Sequence, residues 1–447
     1  MLSRTSQWLI NRRLALFPAH TLRGRFAGNV SWTMAGLLAT NVAGMTVGVV
    51  VARQLGKTGY GELGIVMSTY GLFSQLGNLG LHVATHKYVA EFRRADPARA
   101  GRVAGMALVA TLGSYGALAL VVLLGAPLLA SYIQAPGLVN ELRGAALVLL
   151  FMGFDAVQNG ILAGLEAFNR SARITMLRAI LNVPVTILAA RWFGVGGVVG
   201  ALLLLGIMTV ALNRRAVRQE CLRAGIELDY RLRWPELKPF LMFAIPSFLA
   251  GCLVIPVTWL VNTLLVRQPG GYAEMGLFNA ANQWRAVAIF VPSVFNSVFI
   301  SVQASLHGSG DQAGFERSLR GNLKVQGGAA ALVGVGLVFG APLVMRLYGK
   351  AFDGGDTVLA WLALSWFFLT PCWLLWNAMM TTNQVWRGLG FNLFGAVLLL
   401  VLAYFLVGRG AHGLAMAFAI SGAAQAVVQG AYYFLRTSRL RSVPSAA

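Results

Sequence analysis

Charged residues are scarce in this 447-residue chain, where 11% of the residues are Asp, Glu, Lys or Arg and 57% are hydrophobic. A soluble globular domain could not hide that much apolar surface from water. The three cysteines, Cys221, Cys252 and Cys372, are too few and too scattered for a disulfide framework or a metal site. The composition therefore excludes a soluble domain and predicts lipid as the surrounding medium.

The first twenty residues lack the unbroken apolar core of a cleavable signal peptide, because Asn11, Arg12 and Arg13 interrupt it. Apolar residues among arginines favour a helix lying in the membrane surface, and a disordered basic tail is the alternative. We expect residues 1–27 to form a cytoplasmic, interfacial N-terminal segment.

Features of an enzyme or a metal site are also missing. His82 and His86 have the spacing of a metal-binding pair, but no third ligand accompanies them, so an interfacial pair is favoured. The connections predicted outside the membrane are short, and nothing resembles a catalytic triad. We expect no cofactor, no metal and no catalysis.

Long apolar runs, in contrast, are abundant. They predict an all-α integral membrane protein of about twelve spans, near residues 29–52, 60–81, 103–125, 144–166, 174–193, 195–212, 239–266, 275–305, 322–348, 356–380, 386–407 and 411–435. Six spans form an N-terminal lobe over residues 28–212 and six form a C-terminal lobe over residues 239–435. A basic linker, residues 213–238, separates the lobes, and residues 436–447 form a tail.

The net charge of +21 does not indicate nucleic acid, because the cations lie between apolar runs instead of forming one stripe. About three quarters of the 36 Lys and Arg residues fall in the N-terminus, the linker, the other even-numbered connections and the C-terminus. Cytoplasmic connections carry such an excess, so both termini are predicted to be cytoplasmic.

The two halves repeat one another. ARQLGKTGYGELG, at residues 52–64, is matched by VRQPGGYAEMG, at residues 266–276, and GAPL at residues 125–128 recurs at residues 340–343. Two matches in the same order indicate a duplicated six-span unit. Because six is even, the copies keep one orientation, which is the parallel-repeat plan of many transporters.

The stretch from Ala52 to Arg94 resembles the second-span region of the polysaccharide transporter family, which includes the Wzx-like O-antigen flippases. The matching features are Ala-Arg at 52–53, Leu-Gly at 55–56, Tyr-Gly at 60–61, Gly-Leu at 80–81 and Tyr-Val-Ala-Glu at 88–91. A second patch from Ala341 resembles the region around the ninth and tenth spans. This family belongs to the multidrug/oligosaccharidyl-lipid/polysaccharide (MOP) exporter superfamily.

The resemblance implies two six-helix lobes around a cavity that opens alternately to each side, with spans 1, 2, 7 and 8 facing the cleft. Its cargo would be an undecaprenyl-pyrophosphate-linked oligosaccharide, moved to the outer leaflet of a bacterial inner membrane for O-antigen or exopolysaccharide synthesis. Membrane lipid and the polysaccharide polymerase machinery would be its partners. A multidrug or organic-cation antiporter of the same superfamily is the first alternative, and a membrane-embedded glycosyltransferase or ligase is a weaker one.

Charges inside a membrane are costly, so the few present are candidates for function. Arg285 alone is assigned to the interior of a span, and its paired donors suit a pyrophosphate. Polar residues accompany it as candidate cavity lining, or alternatively as bonds between helices: Asn282, Ser293 and Asn296 on the same face of span 8, Gln75 and Asn78 in span 2, and Thr258 and Asn262 in span 7.

Asp155 is the one acid near the middle of a span, with Gln158 and Asn159 one turn further on. It is a candidate for proton or sodium coupling, and a structural polar cluster within the N-terminal lobe is the alternative. Pro246 and Pro256 predict a bend in span 7, because proline removes a backbone donor and clashes with the preceding turn. That bend is either a hinge or a static kink.

The predicted topology can be tested with single cysteines introduced at Ser445 and at Lys57. An impermeant thiol reagent applied to intact cells should label the cysteine at position 57 and not the one at position 445. The opposite pattern would reverse the orientation.

Overall fold

The computed structural model describes residues 22–231, 242, 254–382 and 384–441. The predicted surface segment before residue 22, Pro246, Cys252 and the end of the tail lie outside these residues. Every element in the described part is helical, and the helices are α1 Leu22–Asn78, α2 Leu81–Ala95, α3 Pro97–Tyr132, α4 Val139–Gly164, α5 Phe168–Arg223, α6 Val254–Val266, α7 Gly271–Asn282, α8 Arg285–Gly308, α9 Gln312–Arg346, α10 Gly355–Thr381, α11 Val385–Leu406 and α12 Gly410–Arg441.

Glycines break the longest helical stretches. α1 leaves helical geometry at Gly56 (φ 68°) and α5 leaves it at Gly194 (φ 59°). Gly410 (φ 66°) separates α11 from α12 in the same way. Residues with a side chain rarely adopt these positive φ values, which explains why glycine occupies each turn. Thr40 and Leu63 border one cavity, so the two arms of α1 fold back on each other.

Seven of the described helical stretches are long and apolar enough to cross a membrane. Three of these stretches contain the glycine breaks, and all three are far longer than the ~20 residues that one crossing needs. The all-helical membrane class predicted from composition is therefore confirmed.

The predicted linker begins later than residue 213. α5 continues through Arg223, and an extended segment then runs along α3, where the positions of Gly101 and Gly105 leave room for its backbone. The amide of Asp229 donates to the carbonyl of Gly101 at 3.3 Å. Sequence reasoning placed the boundary at the end of the apolar run, but helix α5 extends beyond the apolar part as a basic surface helix.

The helices form two bundles, which we call the N-terminal lobe (α1–α5) and the C-terminal lobe (α6–α12). Helices α2, α3 and α4 pack within the first lobe, and α9, α10 and α11 pack within the second. The main contact between lobes joins α1 to α6 and α7. α1 is therefore the part of the N-terminal lobe that holds the C-terminal lobe.

The internal repeat is visible in the backbone. Gly56 and Gly270 both adopt positive φ at the turn between the first two spans of their half. Pro127 and Pro342, from the repeated GAPL sequence, lie inside α3 and α9. Each of these helices is followed by a short 3-10 turn, Pro136–Leu138 or Lys350–Phe352.

α1 and α7 cross with their backbones in contact. A Cβ atom placed on Gly61 would lie 1.8 Å from the carbonyl oxygen of Tyr272, and one placed on Gly276 would lie 1.9 Å from that of Lys57. Small residues allow helices in a membrane to approach closely, and close approach increases their van der Waals contact. Both glycines belong to the repeated sequence, so the duplicated motif forms the junction of the lobes.

We predict that Gly61→Ala weakens this crossing, because a backbone oxygen cannot rotate away from the new methyl group. Overpacking of this kind typically costs ~1–3 kcal/mol. Gly71→Ala is the matched control, since Gly71 lies on the same arm of α1 with nothing within 4 Å of an added Cβ. Thermal unfolding in detergent should show a lower midpoint for Gly61→Ala only; equal midpoints would mean that the crossing yields without cost.

Candidate functional site

One glutamine joins the two lobes at the end of the cleft nearest the helix crossing, which we call the closed end. Gln283, just after α7, accepts hydrogen bonds on Oε1 from the hydroxyls of Tyr60 and Tyr348, each at 3.0 Å. Its Nε2 donates to the carbonyls of Gly44 and Met45, each at 3.1 Å. Gln283 therefore contacts both arms of α1 and the C-terminal lobe at once.

Further contacts across the closed end follow the internal repeat. Arg53 donates through Nε to the carbonyl of Leu347 at 2.5 Å, and the guanidinium of Arg267, the repeat counterpart of Arg53, lies over the ring of Tyr132 at 5.2 Å. The hydroxyl of Tyr272 donates to the carbonyl of Ile133 at 2.8 Å. Each half thus reaches the end of the third span of the other half.

The predicted eighth span is not one continuous helix. α7 ends at Asn282, α8 begins at Arg285, and the amides of Trp284, Ala286 and Val287 donate to carbonyls three residues earlier. This tighter spacing defines a short joint at 283–284, and such stretches within a helix often mark hinges. Gln283 and Trp284 keep right-handed helical angles, so Asn282 and Arg285 still lie about one turn apart, as expected from the sequence.

A cavity of about 300 Å³ lies between the lobes beside this joint. Its walls come from both arms of α1, from α5 and from the start of α8; the lining residues include Thr40, Asn41, Gly48, Tyr60, Gln283 and Ala286. Spans 1, 2 and 8, which the resemblance assigned to the cleft, contribute to this wall together with α5, whereas span 7 contributes none of the described lining residues.

Arg285 occupies the first position of α8, next to the cavity residue Ala286. Its side chain is exposed. Among the described residues, Arg285 has no ion pair and no hydrogen-bond acceptor. The exposed residue Ile289, one turn further on, continues the same open face.

The other predicted lining residues fall into different settings. Gln75 and Asn78, at the end of α1, and Asn282, at the end of α7, are partly exposed. The Thr258 hydroxyl donates to the carbonyl of Val254 in its own helix. The side chains of Ser293 and Asn296 lie outside the described residues.

Asn262 is placed between the lobes, where its Nδ2 donates to Ser68 Oγ at 3.0 Å. It is buried there, with 5% of its surface exposed. Nearby, the Trp259 indole donates to Thr69 Oγ1 at 3.0 Å. Asn262 therefore belongs to the contact surface of the lobes and not to the cavity wall, as the alternative of an interhelical bond foresaw.

Asp155 is bonded inside the N-terminal lobe. Its Oδ1 accepts from Nδ2 of Asn159 at 2.9 Å and of Asn213 at 2.7 Å, while its Oδ2 lies 3.4 Å from Arg178. Arg178 lies within α5. A second arginine besides Arg285 therefore lies inside a membrane-spanning stretch, contrary to the sequence analysis. Gln158 is buried, and its Oε1 has no partner among the described atoms.

Sequence reasoning missed Gln283 and Arg178 for different reasons. Gln283 sits inside an apolar run and was overlooked beside the charged Arg285. Arg178 lies close to the basic connection that the sequence analysis predicted between the fourth and fifth spans, and its charge was counted with that connection. The pairing of Arg178 with a mid-span acid is the signal that would have identified it.

Two lobes of long apolar helices around a central cleft define the architecture of a membrane transporter. A family model described as "Polysaccharide biosynthesis protein" matches residues 26–303. The chain therefore belongs to this polysaccharide biosynthesis protein family.

A curated relative is the EPS I polysaccharide export inner membrane protein EpsE of Ralstonia nicotianae, 24% identical over 371 residues that cover 79% of this chain and 83% of EpsE. The fold is that of the MOP superfamily. An inward-facing multidrug resistance MATE family transporter matches with a TM-score of 0.77 at 18% identity, over 91% of this chain and 96% of that one. A MOP superfamily transporter from Pyrococcus furiosus, with a binding pocket of reverse polarity, matches with a TM-score of 0.62 at 18% identity, over the same shares of the two chains.

We predict that Asp155→Asn lowers stability, because it leaves the half-buried Arg178 without its counter-charge. Hydrogen bonds to charged groups contribute ~1.5–3 kcal/mol. Glu91→Gln, which makes the same change at an exposed site on α2, should have little effect. Unfolding midpoints of the two variants test this.

Transport by Asp155→Asn across a range of proton and sodium gradients separates the remaining roles of this residue. A changed gradient dependence would show coupling. An unchanged dependence at normal folded yield leaves Asp155 a purely structural role.

Proposed function

We propose that this protein is a flippase that moves a polyprenyl-pyrophosphate-linked oligosaccharide from the inner to the outer leaflet of the bacterial cytoplasmic membrane. The observation that carries the proposal is Arg285, an exposed cation with no counter-charge among the described residues, beside a cavity between two lobes. The family, whose model is described as a polysaccharide biosynthesis protein, and the export role in the name of the Ralstonia relative support a glycan cargo.

The charge of the cleft favours an anionic cargo. An arginine in a membrane-spanning segment without an acid beside it is costly unless an anion joins it, and a pyrophosphate offers the oxygens for paired, charge-assisted hydrogen bonds. The one mid-span acid, Asp155, is already neutralised by Arg178 within its own lobe. A multidrug or organic-cation antiporter would need an acid free to face the cargo, so the described residues favour the flippase over this alternative.

The closed end is proposed to face outwards. The seven long apolar stretches and their three glycine breaks give ten crossings, and α6 and α7–α8 would supply two more. With twelve spans and cytoplasmic termini, Tyr60 and Tyr272 would lie at the outer face. The lobes then meet at the outer side and part towards the cytoplasm, consistent with the higher TM-score of the inward-facing MATE transporter. In this state the cleft receives cargo from the inner leaflet, and opening of the closed end delivers it.

The chemistry needs no covalent step. The oligosaccharide and pyrophosphate are too polar to cross lipid unaided, so the cleft supplies a polar surface while the polyprenyl chain stays in the bilayer. Arg285 anchors the phosphates, and Gln75, Asn78 and Asn282 offer hydrogen-bonding groups to sugars. O-antigen, lipopolysaccharide or exopolysaccharide assembly, with the polymerase machinery acting after this step, would consume the product.

We predict that Arg285→Ala folds and inserts normally but makes lipid-linked saccharide accumulate on the cytoplasmic leaflet. Loss of a charge-assisted contact costs ~1.5–3 kcal/mol, which corresponds to roughly 10- to 150-fold weaker engagement. Arg285→Lys keeps the charge but loses the planar fork, so it should be intermediate. The measurement compares surface glycan and accumulated precursor at equal expression.

Arg94→Ala, which removes an exposed arginine at the end of α2, is the matched control and should behave like the parent. An alanine variant at position 285 that transports as well as the parent would remove Arg285 as the phosphate anchor. Export of cationic dyes, with no response to lipid pyrophosphates, would favour the antiporter.

A further inference from the structure

We propose that the joint at 283–284 couples cargo binding to the opening of the closed end, with Gln283 as the positioning residue that locks the lobes together. This rests on the proposed function in one respect only, namely that Arg285 binds the cargo. The lock itself rests on the three hydrogen bonds that join Gln283 to α1.

Gln283 is the most connected side chain across the lobes in the described structure. Its Oε1 accepts from two tyrosines and its Nε2 donates to two carbonyls, so one amide group uses nearly all of its bonding capacity. Gly48 makes room for it, because a Cβ atom there would lie 2.1 Å from the amide of Gln283. The lobes cannot separate here without breaking the bonds to Tyr60, Gly44 and Met45 together, while the bond to Tyr348 lies within the C-terminal lobe.

The joint places this lock two residues from the cargo-binding cation. Gln283 and Arg285 lie on either side of Trp284, in the segment where hydrogen bonds of the α-helix give way to tighter ones. A change of backbone angle at residues 283–284 reorients Gln283 itself. Movement of Arg285 towards phosphates therefore changes the direction of the Gln283 side chain. A continuous helix could move the two residues only together, as one rigid body.

The N-terminal half lacks this device. The spacing that relates Tyr60 to Tyr272 and Gly64 to Gly276 places Gly71 at the position of Gln283. No side chain can lock the lobes from Gly71, and α1 continues without a break through this position to Asn78. The duplicated halves therefore differ where one of them carries a lock, a joint and a cation in three successive residues, which points to a specialised role of the C-terminal copy.

A single reporter cysteine tests the lock. Thr69 is 2% exposed at the contact of the lobes, so Thr69→Cys should react slowly while the closed end is shut. The background replaces Cys221, Cys252 and Cys372 with alanine. An impermeant maleimide, added from the side of the closed end to protein in vesicles, then reports how often the lobes part.

Gln283→Leu in this background should raise the labelling rate by an order of magnitude or more, and Tyr60→Phe, which loses one hydrogen bond between the lobes, by about 5-fold. Adding Tyr60→Phe to Gln283→Leu should change nothing further, since the partner is already gone. Gln326→Leu is the control, because Gln326 bonds to Asn322 in its own helix. Labelling of Gln283→Leu and Tyr60→Phe at the parental rate would overturn the lock.

The coupling is tested by adding undecaprenyl pyrophosphate to the vesicles. The lipid should raise the labelling rate of the parent, because cargo binding opens the closed end. It should leave the rate of Arg285→Ala unchanged and add nothing to the high rate of Gln283→Leu. A normal lipid response in Arg285→Ala would remove the coupling and the cargo site while the lock stands. If the lock variants are labelled at the parental rate while the lipid response still depends on Arg285, this inference is overturned and the proposed function stands.

Discussion

Because Gly61 and Gly276 have no side chains, the backbones of α1 and α7 touch where they cross, and no layer of side chains separates the two lobes at that point. A bilayer supplies no hydrophobic force to hold apolar helices together, so close packing and a few hydrogen bonds must hold the junction. The bonds of Gln283, and those of Asn262 and Trp259 on α6, add further contacts between α1 and the C-terminal lobe.

Arg178 in the N-terminal lobe and Arg285 in the C-terminal lobe differ in whether an acid pairs with them. In the N-terminal lobe, Asp155 and Arg178 compensate one another, and two asparagines satisfy the remaining oxygen of the acid. A pair of this kind stabilises a bundle only while both members stay in place. Arg285 in the C-terminal lobe has no such partner among the described residues. Under the proposed function, this open charge is the one that binds the anionic cargo.

Much of this architecture was predictable because it depends on local sequence patterns. Apolar runs, the repeated turns at Gly56 and Gly270 and the scarcity of acids specify helices, their duplication and a cleft without further information. Gln283 was overlooked and Asn262 was left between two alternatives, since a polar residue in a span faces either a cavity or a neighbouring helix, and only the packing of two distant segments decides between them. The joint at 283–284 escaped prediction because it contains neither proline nor glycine, the residues that usually mark a broken helix.

Duplication explains why this unmarked joint matters. Two identical halves would meet symmetrically, with each Tyr and Arg of the repeated motif reaching the third span of the other half, as Arg53 and Tyr272 still do. Such a junction is strong but gives the cargo no place at which to act on it. With Gln283 in one copy and Gly71 in the other, the bonds that close the cleft are concentrated in one segment, next to the charge that faces it. A ligand shifts a conformational equilibrium only through contacts that differ between the two states. Here the contact and the lock share a single joint, so binding energy at Arg285 has a short mechanical path to the bonds that must break.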